Sequence, residues 1–293
     1  MNSIYRIFSD WVEQGVLPEM FGYEFLINAL LASLLIGPLL GLLGTLVVVK
    51  RLAFLSEAVG HSVLTGVSIG ILLGEAPTAP LISLFTFSIL FALLLQWVKG
   101  RSTIPYDALI GVFLSFALAA GAALLLYVAK KVNAHLIEQV MFGSILVTTP
   151  SDLIMLSTIC VIVAVLSYFY GNQAYLVAIS PDIAHSQRIN TRIHDYAFVI
   201  LIALITVASV KIIGAVLVGA LLLIPAASAR LIARNLKQLL MLSIAFSTSA
   251  SVMGVLIPMY LHWPVSAGPA ITLFACGWFV LSLIHRQTKL RAA

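Results

Sequence analysis

Residues 24–49 read EFLINALLASLLIGPLLGLLGTLVVV, an apolar run with one acidic residue at its start and no basic residue. About 20 apolar helical residues cross the roughly 30 Å hydrocarbon core of a bilayer, so this run is long enough to span a membrane. Eight further apolar segments follow it, each bounded by charge, glycine or proline. The nine segments are 24–49, 52–74, 80–98, 107–129, 151–171, 195–210, 212–233, 238–260 and 265–285.

The composition of the whole chain agrees with these runs. The 293 residues are 61% hydrophobic and 9% charged, with a mean hydropathy of +1.11, whereas about a quarter of a soluble domain is charged. The runs are continuous rather than alternating, which favours a helical bundle over an outer-membrane barrel. We therefore predict an all-α, polytopic membrane helix bundle in an inner or plasma membrane. It has about nine transmembrane helices, with a range of seven to nine, in one domain over residues 1–293. Segment 195–210 is the weakest of the nine.

Lys and Arg predict the orientation of the bundle. Nine spans with an outside N terminus place 12 of the 16 basic residues on the inner side and leave Arg6, Lys130, Lys131 and Lys211 outside. We therefore predict that the N terminus lies outside and the C terminus inside. The basic residues form short clusters between apolar runs, where they set the topology. The net charge of +5 therefore does not indicate nucleic-acid binding.

Three segments outside the spans carry predictions of their own. Residues 1–20 read either as an interfacial amphipathic segment on the outer surface or as a frayed terminus. Segment 136–147 is too short to span, which favours a re-entrant or interfacial piece. The largest inner loop, 180–194, is polar and suits docking to a cytoplasmic partner.

Small residues at a spacing of four mark two spans that pack inside the bundle, since lipid gives helices no hydrophobic drive to associate. The first span carries Ser33, Gly37, Gly41 and Thr45, and the second carries Ser62, Gly66, Gly70 and Gly74.

Glu57 and His61 form a strongly ionisable pair inside the second span. Ionisable groups in hydrocarbon are costly and mark a pathway or a site. At a spacing of four they share one helix face, with Cβ atoms about 6 Å apart. Oxygen plus nitrogen suits manganese, zinc or ferrous iron. A structural alternative is a Glu–His hydrogen bond that satisfies two buried polar groups. A metal site needs further ligands, which a second copy of the chain facing the first across a pore would supply.

Other chemistries have little support in the sequence. The order ExxxH differs from the HExxH of zinc proteases, and the chain has no GxSxG elbow, which disfavours an intramembrane hydrolase. Cys160 and Cys276 lack the spacing of a zinc site or a disulfide framework. The chain has no GxxxxGK[ST] phosphate loop, so active transport would draw on a partner or an ion gradient. The residues alone leave both sources open.

Three motifs together resemble the permease subunits of ABC importers for zinc, manganese and iron, over roughly residues 24–285. The motifs are Val49–Gly70, VKRLAFLSEAVGHSVLTGVSIG; Lys211–Arg230, KIIGAVLVGALLLIPAASAR; and Ser266–Ile271, SAGPAI. The resemblance implies that Glu57 and His61 are the metal-coordinating acid and histidine. The acid is usually Asp in that family, so Glu57 adds one methylene.

Loop residues Asp182 to Asn190 resemble the family's segment that docks into the partner ATPase, where a Gly usually lies near Arg188. The resemblance implies ATPase coupling by six residues: Asp182, His185, Ser186, Gln187, Arg188 and Asn190. It implies a homodimer or a heterodimer with a sister permease, ATPase subunits that bind ATP, and an extracytoplasmic metal-binding protein.

The implied function is import of Mn²⁺, Zn²⁺ or Fe²⁺ across a bacterial cytoplasmic membrane. The resemblance also implies that the chain holds no permanent cofactor and is not itself an enzyme. The alternative is a gradient-driven cation transporter or channel that uses Glu57 as a proton or cation relay.

Overall fold

A computed structural model describes residues 5, 11–12, 14–15, 18–75, 80–128, 143 and 145–292. Within this part of the chain every regular element is helical, which confirms the predicted all-α membrane bundle. Most of segment 1–20 and most of segment 136–147 lie outside the described residues, so the surface and re-entrant assignments stay predictions, as does the orientation of the bundle.

Ten α-helices and two 3-10 helices follow one another along the described residues. The α-helices are α1 (Glu24–Lys50), α2 (Leu55–Leu72), α3 (Leu81–Lys99), α4 (Tyr106–Val128), α5 (Pro150–Ile179), α6 (Pro181–Ser186), α7 (Thr191–Ile213), α8 (Ala215–Ile232), α9 (Leu236–Tyr260) and α10 (Ala267–Ala292). The 3-10 helices are Glu19–Gly22 and Ile145–Val147.

Eight of the described helices are long and apolar enough to cross a membrane, a number inside the predicted range of seven to nine. The weakest predicted segment, 195–210, extends at both ends to become α7. The next segment, 212–233, is interrupted by Gly214, whose φ of 86° and ψ of 157° end α7 and begin α8 after a single residue. Residues that have a Cβ rarely adopt this backbone conformation. α8 therefore runs over 18 residues, Ala215–Ile232.

α2 lies at the centre of the bundle. Its 18-residue window is 78% buried, the largest share among the eight candidate spans in the described chain, and it packs against α3, α4, α7 and α8. A Cβ on Gly66 would lie 3.1 Å from Cα of Leu84, and one on Gly70 would lie 2.7 Å from Cβ of the proline preceding α3. Ser62 Oγ donates to Ser88 Oγ at 3.1 Å. Small side chains thus let the α3 backbone approach α2 closely.

α1 and α9 are in similarly close contact. A Cβ on Gly37 would lie 2.5 Å from Cα of Thr248, and one on Gly41 would lie 2.7 Å from Cα of Ile244. At the same crossing Ser243 Oγ donates to the carbonyl oxygen of Gly41 at 2.7 Å. An interhelical hydrogen bond of this kind contributes about 0.6 kcal/mol in a membrane protein, so backbone packing is the larger part of this contact.

Ion pairs tie α7 to other helices at both of its ends. Near its start, Asp195 Oδ1 lies 2.5 Å from Lys50 Nζ at the end of α1. Near its end, Lys211 Nζ lies 2.6 Å from Asp152 Oδ1 in the first turn of α5. We call the end of the bundle that contains Lys50 and Asp195 the near end, and the end that contains Asp152 and Lys211 the far end. The predicted topology places the near end inside.

Candidate metal site

Glu57 and His61 lie one helical turn apart near the start of α2. Between Leu55 and Ile71 the partly exposed positions are Glu57, His61 and Ile69, and every other position is buried. At about 100° per residue these three positions fall within about 120° of arc on one side of the helix. The side of α2 that the chain's own described helices leave open is therefore the side that carries an acid and a histidine.

Neither candidate ligand forms a hydrogen bond with another described residue. Nδ1 of His61 is buried and has no partner in the described part of the chain. Within the described residues Glu57 forms no hydrogen bond or ion pair, so the arrangement in which the two residues only satisfy each other is not the one found. Buried polar groups almost always have a partner. The unpartnered Nδ1 of His61 is an exception, and it belongs to a side chain that the chain's own described helices leave partly exposed.

One copy of the chain offers too few ligands for a closed metal site. The described residues contain no group of three or more His, Cys, Asp or Glu side chains placed to hold an ion. Zinc in proteins takes about four ligands, and manganese takes more. If Glu57 and His61 bind a metal, one copy of the chain would supply only part of its coordination sphere.

Gly60 brings α2 against two neighbouring helices between the two candidate ligands. A Cβ at this position would lie 3.7 Å from the carbonyl oxygen of Ala215 at the start of α8. It would lie 3.8 Å from Cγ2 of Thr206 and of Val210 on α7. These are van der Waals distances, so α7 and the start of α8 rest directly on the segment that carries the site.

Three buried hydroxyl groups near this contact have no hydrogen-bond partner among the residues that the structure describes. They belong to Ser56 on α2 and to Thr206 and Ser209 on α7. Sequence reasoning missed these residues, because serine and threonine occur singly inside apolar helices for many reasons. The available signal was their spacing of three, which places Thr206 and Ser209 on one face of α7.

The loop predicted to dock on an ATPase is an ordered segment at the surface. α6 occupies its first half, and within it Ala184 is fully buried while Ile183 is half exposed. The six predicted coupling residues are all exposed, namely Asp182, His185, Ser186, Gln187, Arg188 and Asn190. The Asn190 side chain also caps α7 by accepting from the backbone N–H of Ile193 at 3.3 Å.

Arg188 takes the conformation for which glycine is best suited. Its φ is 59°, a left-handed conformation that costs a residue with a Cβ about 1–2 kcal/mol. Its backbone N–H donates to His185 at 3.0 Å, and the N–H of Ile189 donates to Ala184 at 3.0 Å. α6 therefore ends in the way that a glycine-terminated helix does, with arginine at the glycine position.

The SAGPAI motif lies at the start of α10. Together with the end of α7 and the start of α8 it lines a largely apolar cavity of about 520 Å³. A Cβ on Gly254 of α9 would lie 2.5 Å from Cα of Ile271, so the end of the motif also fixes α9 against α10.

Comparison with known proteins identifies the family. The ABC 3 transport family model matches residues 22–286. The manganese import system permease protein ScaB of Streptococcus gordonii is 30% identical over 269 residues, 92% of this chain and 94% of that protein. The high-affinity zinc uptake system membrane protein ZnuB of Haemophilus influenzae is 28% identical over 90% of this chain and 99% of its own length.

A solved structure agrees with the sequence comparisons. PsaBC from Streptococcus pneumoniae in complex with Fab superposes with a TM-score of 0.77 and 26% identity, over 96% of this chain and 95% of that one. The chain belongs to the ABC 3 transport family, and the resemblance drawn from its three motifs is confirmed. It is a multi-pass membrane protein of a family whose members are transport components.

Proposed function

We propose that this chain is the permease subunit of an ABC importer in a bacterial cytoplasmic membrane, and that its cargo is Mn²⁺, Zn²⁺ or Fe²⁺. The metal is a transported substrate rather than a resident cofactor. Its path passes Glu57 and His61.

The observation that carries this proposal is the open side of α2. A helix that is otherwise enclosed by its neighbours exposes a carboxylate and an imidazole, one turn apart and both without a partner in the described chain. Ionisable groups within spans are expensive, and this pair supplies the oxygen and nitrogen donors that first-row divalent metals accept.

A second copy of the chain, or a sister permease, completes the site. Two copies related by a two-fold axis along the open side of α2 bring two carboxylates and two imidazoles to one point. Four ligands meet the coordination number that zinc requires and leave room for water on manganese or iron. A site shared between subunits also opens when they move apart, so it binds the ion and then releases it.

Energy and delivery come from partners. The ordered, exposed loop 180–194 is the docking site for an ATPase that binds and hydrolyses ATP, and an extracytoplasmic binding protein hands the metal to the other face. The family membership and the exposure of all six predicted coupling residues support this assignment.

The test is metal uptake by cells that lack other importers and express this chain with its ATPase and binding protein. Glu57→Gln replaces a charged carboxylate with a neutral amide and His61→Ala removes an imidazole, so we expect uptake of one metal to fall at least about tenfold. Matched controls are Glu24→Gln and His285→Gln, which change the same residue types at exposed positions and leave uptake near wild type.

Normal uptake by both site variants at equal expression would refute the site. Uptake that needs no ATPase and disappears with a protonophore would refute the ABC mechanism and favour a gradient-driven carrier.

A further inference from the structure

The ion pair between Lys50 and Asp195 stands where the docking loop meets the segment that leads to the candidate metal site. Asp195 lies in the second turn of α7, directly after loop 180–194 and five residues after Asn190, which caps that helix. Lys50 is the last residue of α1, seven residues before Glu57. The pair thus joins two segments that lie 145 residues apart in sequence.

The Lys50 side chain is largely buried and lies close to two residues of α7. Its Nζ lies 2.5 Å from Asp195 Oδ1 and 4.7 Å from the ring centroid of Phe198, one turn further along α7. The side chain of Lys50 is 13% exposed. Salt bridge and cation–π contact together fix the end of α1 to the first turns of α7.

The connection from Lys50 to the site is stiff. The N–H of Arg51 donates to Val48 at 3.3 Å, and that of Leu52 donates to Val47 at 2.9 Å. The N–H of Leu55 then donates to Leu52 at 3.1 Å, which begins α2. A hydrogen-bonded connection of this length has little slack, so a displacement of Lys50 moves the first turn of α2, where Glu57 lies.

The docking loop, on the other side of the Lys50–Asp195 pair, is ordered as well. Ala184 anchors α6 in the protein interior, the N–H of Ile189 bonds back to it, and Asn190 caps α7. α7 also touches α2 directly at Gly60, through Thr206 and Val210. Movement of α7 therefore reaches α2 by two routes, one through Lys50 at the end of α1 and one through Gly60.

We propose that Lys50 and Asp195 are positioning residues that couple movement of loop 180–194 to the opening and closing of the Glu57–His61 site. This rests on the proposed function. Loss of the pair leaves ATP hydrolysis by the partner largely intact and disconnects it from metal movement. The second ion pair, Lys211 with Asp152, joins α7 to α5 rather than to α1 or α2, so it serves as the internal control.

The test uses the full complex with its ATPase in liposomes and measures the number of Mn²⁺ ions moved per ATP hydrolysed. Asp195→Asn and Lys50→Gln should each lower this ratio by about tenfold, an effect within the range found for residues along coupling networks. The exchanged double variant Lys50→Asp with Asp195→Lys should return the ratio to within about twofold of wild type. Lys211→Gln should leave it unchanged.

The inference is overturned if both single variants keep the wild-type ratio, if the exchange fails to restore it, or if Lys211→Gln lowers it equally. Assembly of each complex is checked by size-exclusion chromatography, and the exchanged variant remains informative if one single variant folds poorly. Glu57→Gln in the same liposomes separates the two proposals. Full transport by Glu57→Gln refutes the proposed site and this inference with it, whereas loss of transport with an unchanged ratio in the pair variants refutes only the coupling role.

Discussion

Substitution of Gly60 tests the contact between the site helix and α7. An alanine Cβ there would meet Ala215 O at 3.7 Å and the Cγ2 atoms of Thr206 and Val210 at 3.8 Å, which leaves room for one methyl group. Gly60→Ala also removes the backbone entropy cost of a glycine inside a helix, about 0.5–1 kcal/mol. We therefore expect Gly60→Ala to fold at least as stably as wild type and to transport metal.

A larger side chain has no such space. Leucine at position 60 places three more carbons against atoms that already stand at contact distance, and overpacking of this kind costs about 1–3 kcal/mol. The strain is relieved by moving α2 away from α7 and α8, which shifts Glu57 and His61 with it.

Thermal unfolding of the purified protein and metal uptake are measured for both variants. We expect Gly60→Ala to match or exceed the wild-type melting temperature. Gly60→Leu should melt several degrees lower, since each kcal/mol shifts a melting temperature by about 2–4 °C. It should also transport at least about tenfold less metal. A Gly60→Leu protein that melts and transports like wild type would refute the close packing of α2 on α7.

Two further predictions concern other left-handed or close-packed positions. Gly44→Ala should lower the melting temperature by several degrees, because its Cβ would lie 2.1 Å from the carbonyl oxygen of Leu222. Gly171→Ala, whose Cβ would have no neighbouring atom within 4 Å, should raise the melting temperature slightly through helix propensity. Equal shifts for the two variants would contradict the α1–α8 contact. Arg188→Gly should melt at or above wild type and Arg188→Val below it, since the φ of 59° suits glycine and penalises a β-branched residue; the reverse order would show that α6 ends differently.

The sequence predicted the helical bundle and most of its spans because a membrane imposes a length and a polarity that apolar runs reveal directly. It did not place the break at Gly214, because the residues on both sides are equally apolar and the hydropathy pattern continues through the joint. A glycine with a positive φ is visible only in the backbone.

Only part of the candidate site could likewise be predicted from the sequence. A spacing of four was enough to put Glu57 and His61 on one face, but which face of α2 stays uncovered depends on the packing of four other helices. The Lys50–Asp195 pair had no local signal either, since its members are 145 residues apart. Lys50 alone reads as a basic residue that sets topology, and Asp195 as an ordinary charge near the end of a span.

The most direct test of the metal site is pulsed electron paramagnetic resonance of Mn²⁺ bound to the purified permease. We expect a nitrogen coupling from a coordinated imidazole that is present in wild type, lost in His61→Ala and kept in His285→Gln. Bound Mn²⁺ with the same nitrogen coupling in His61→Ala as in wild type would contradict it.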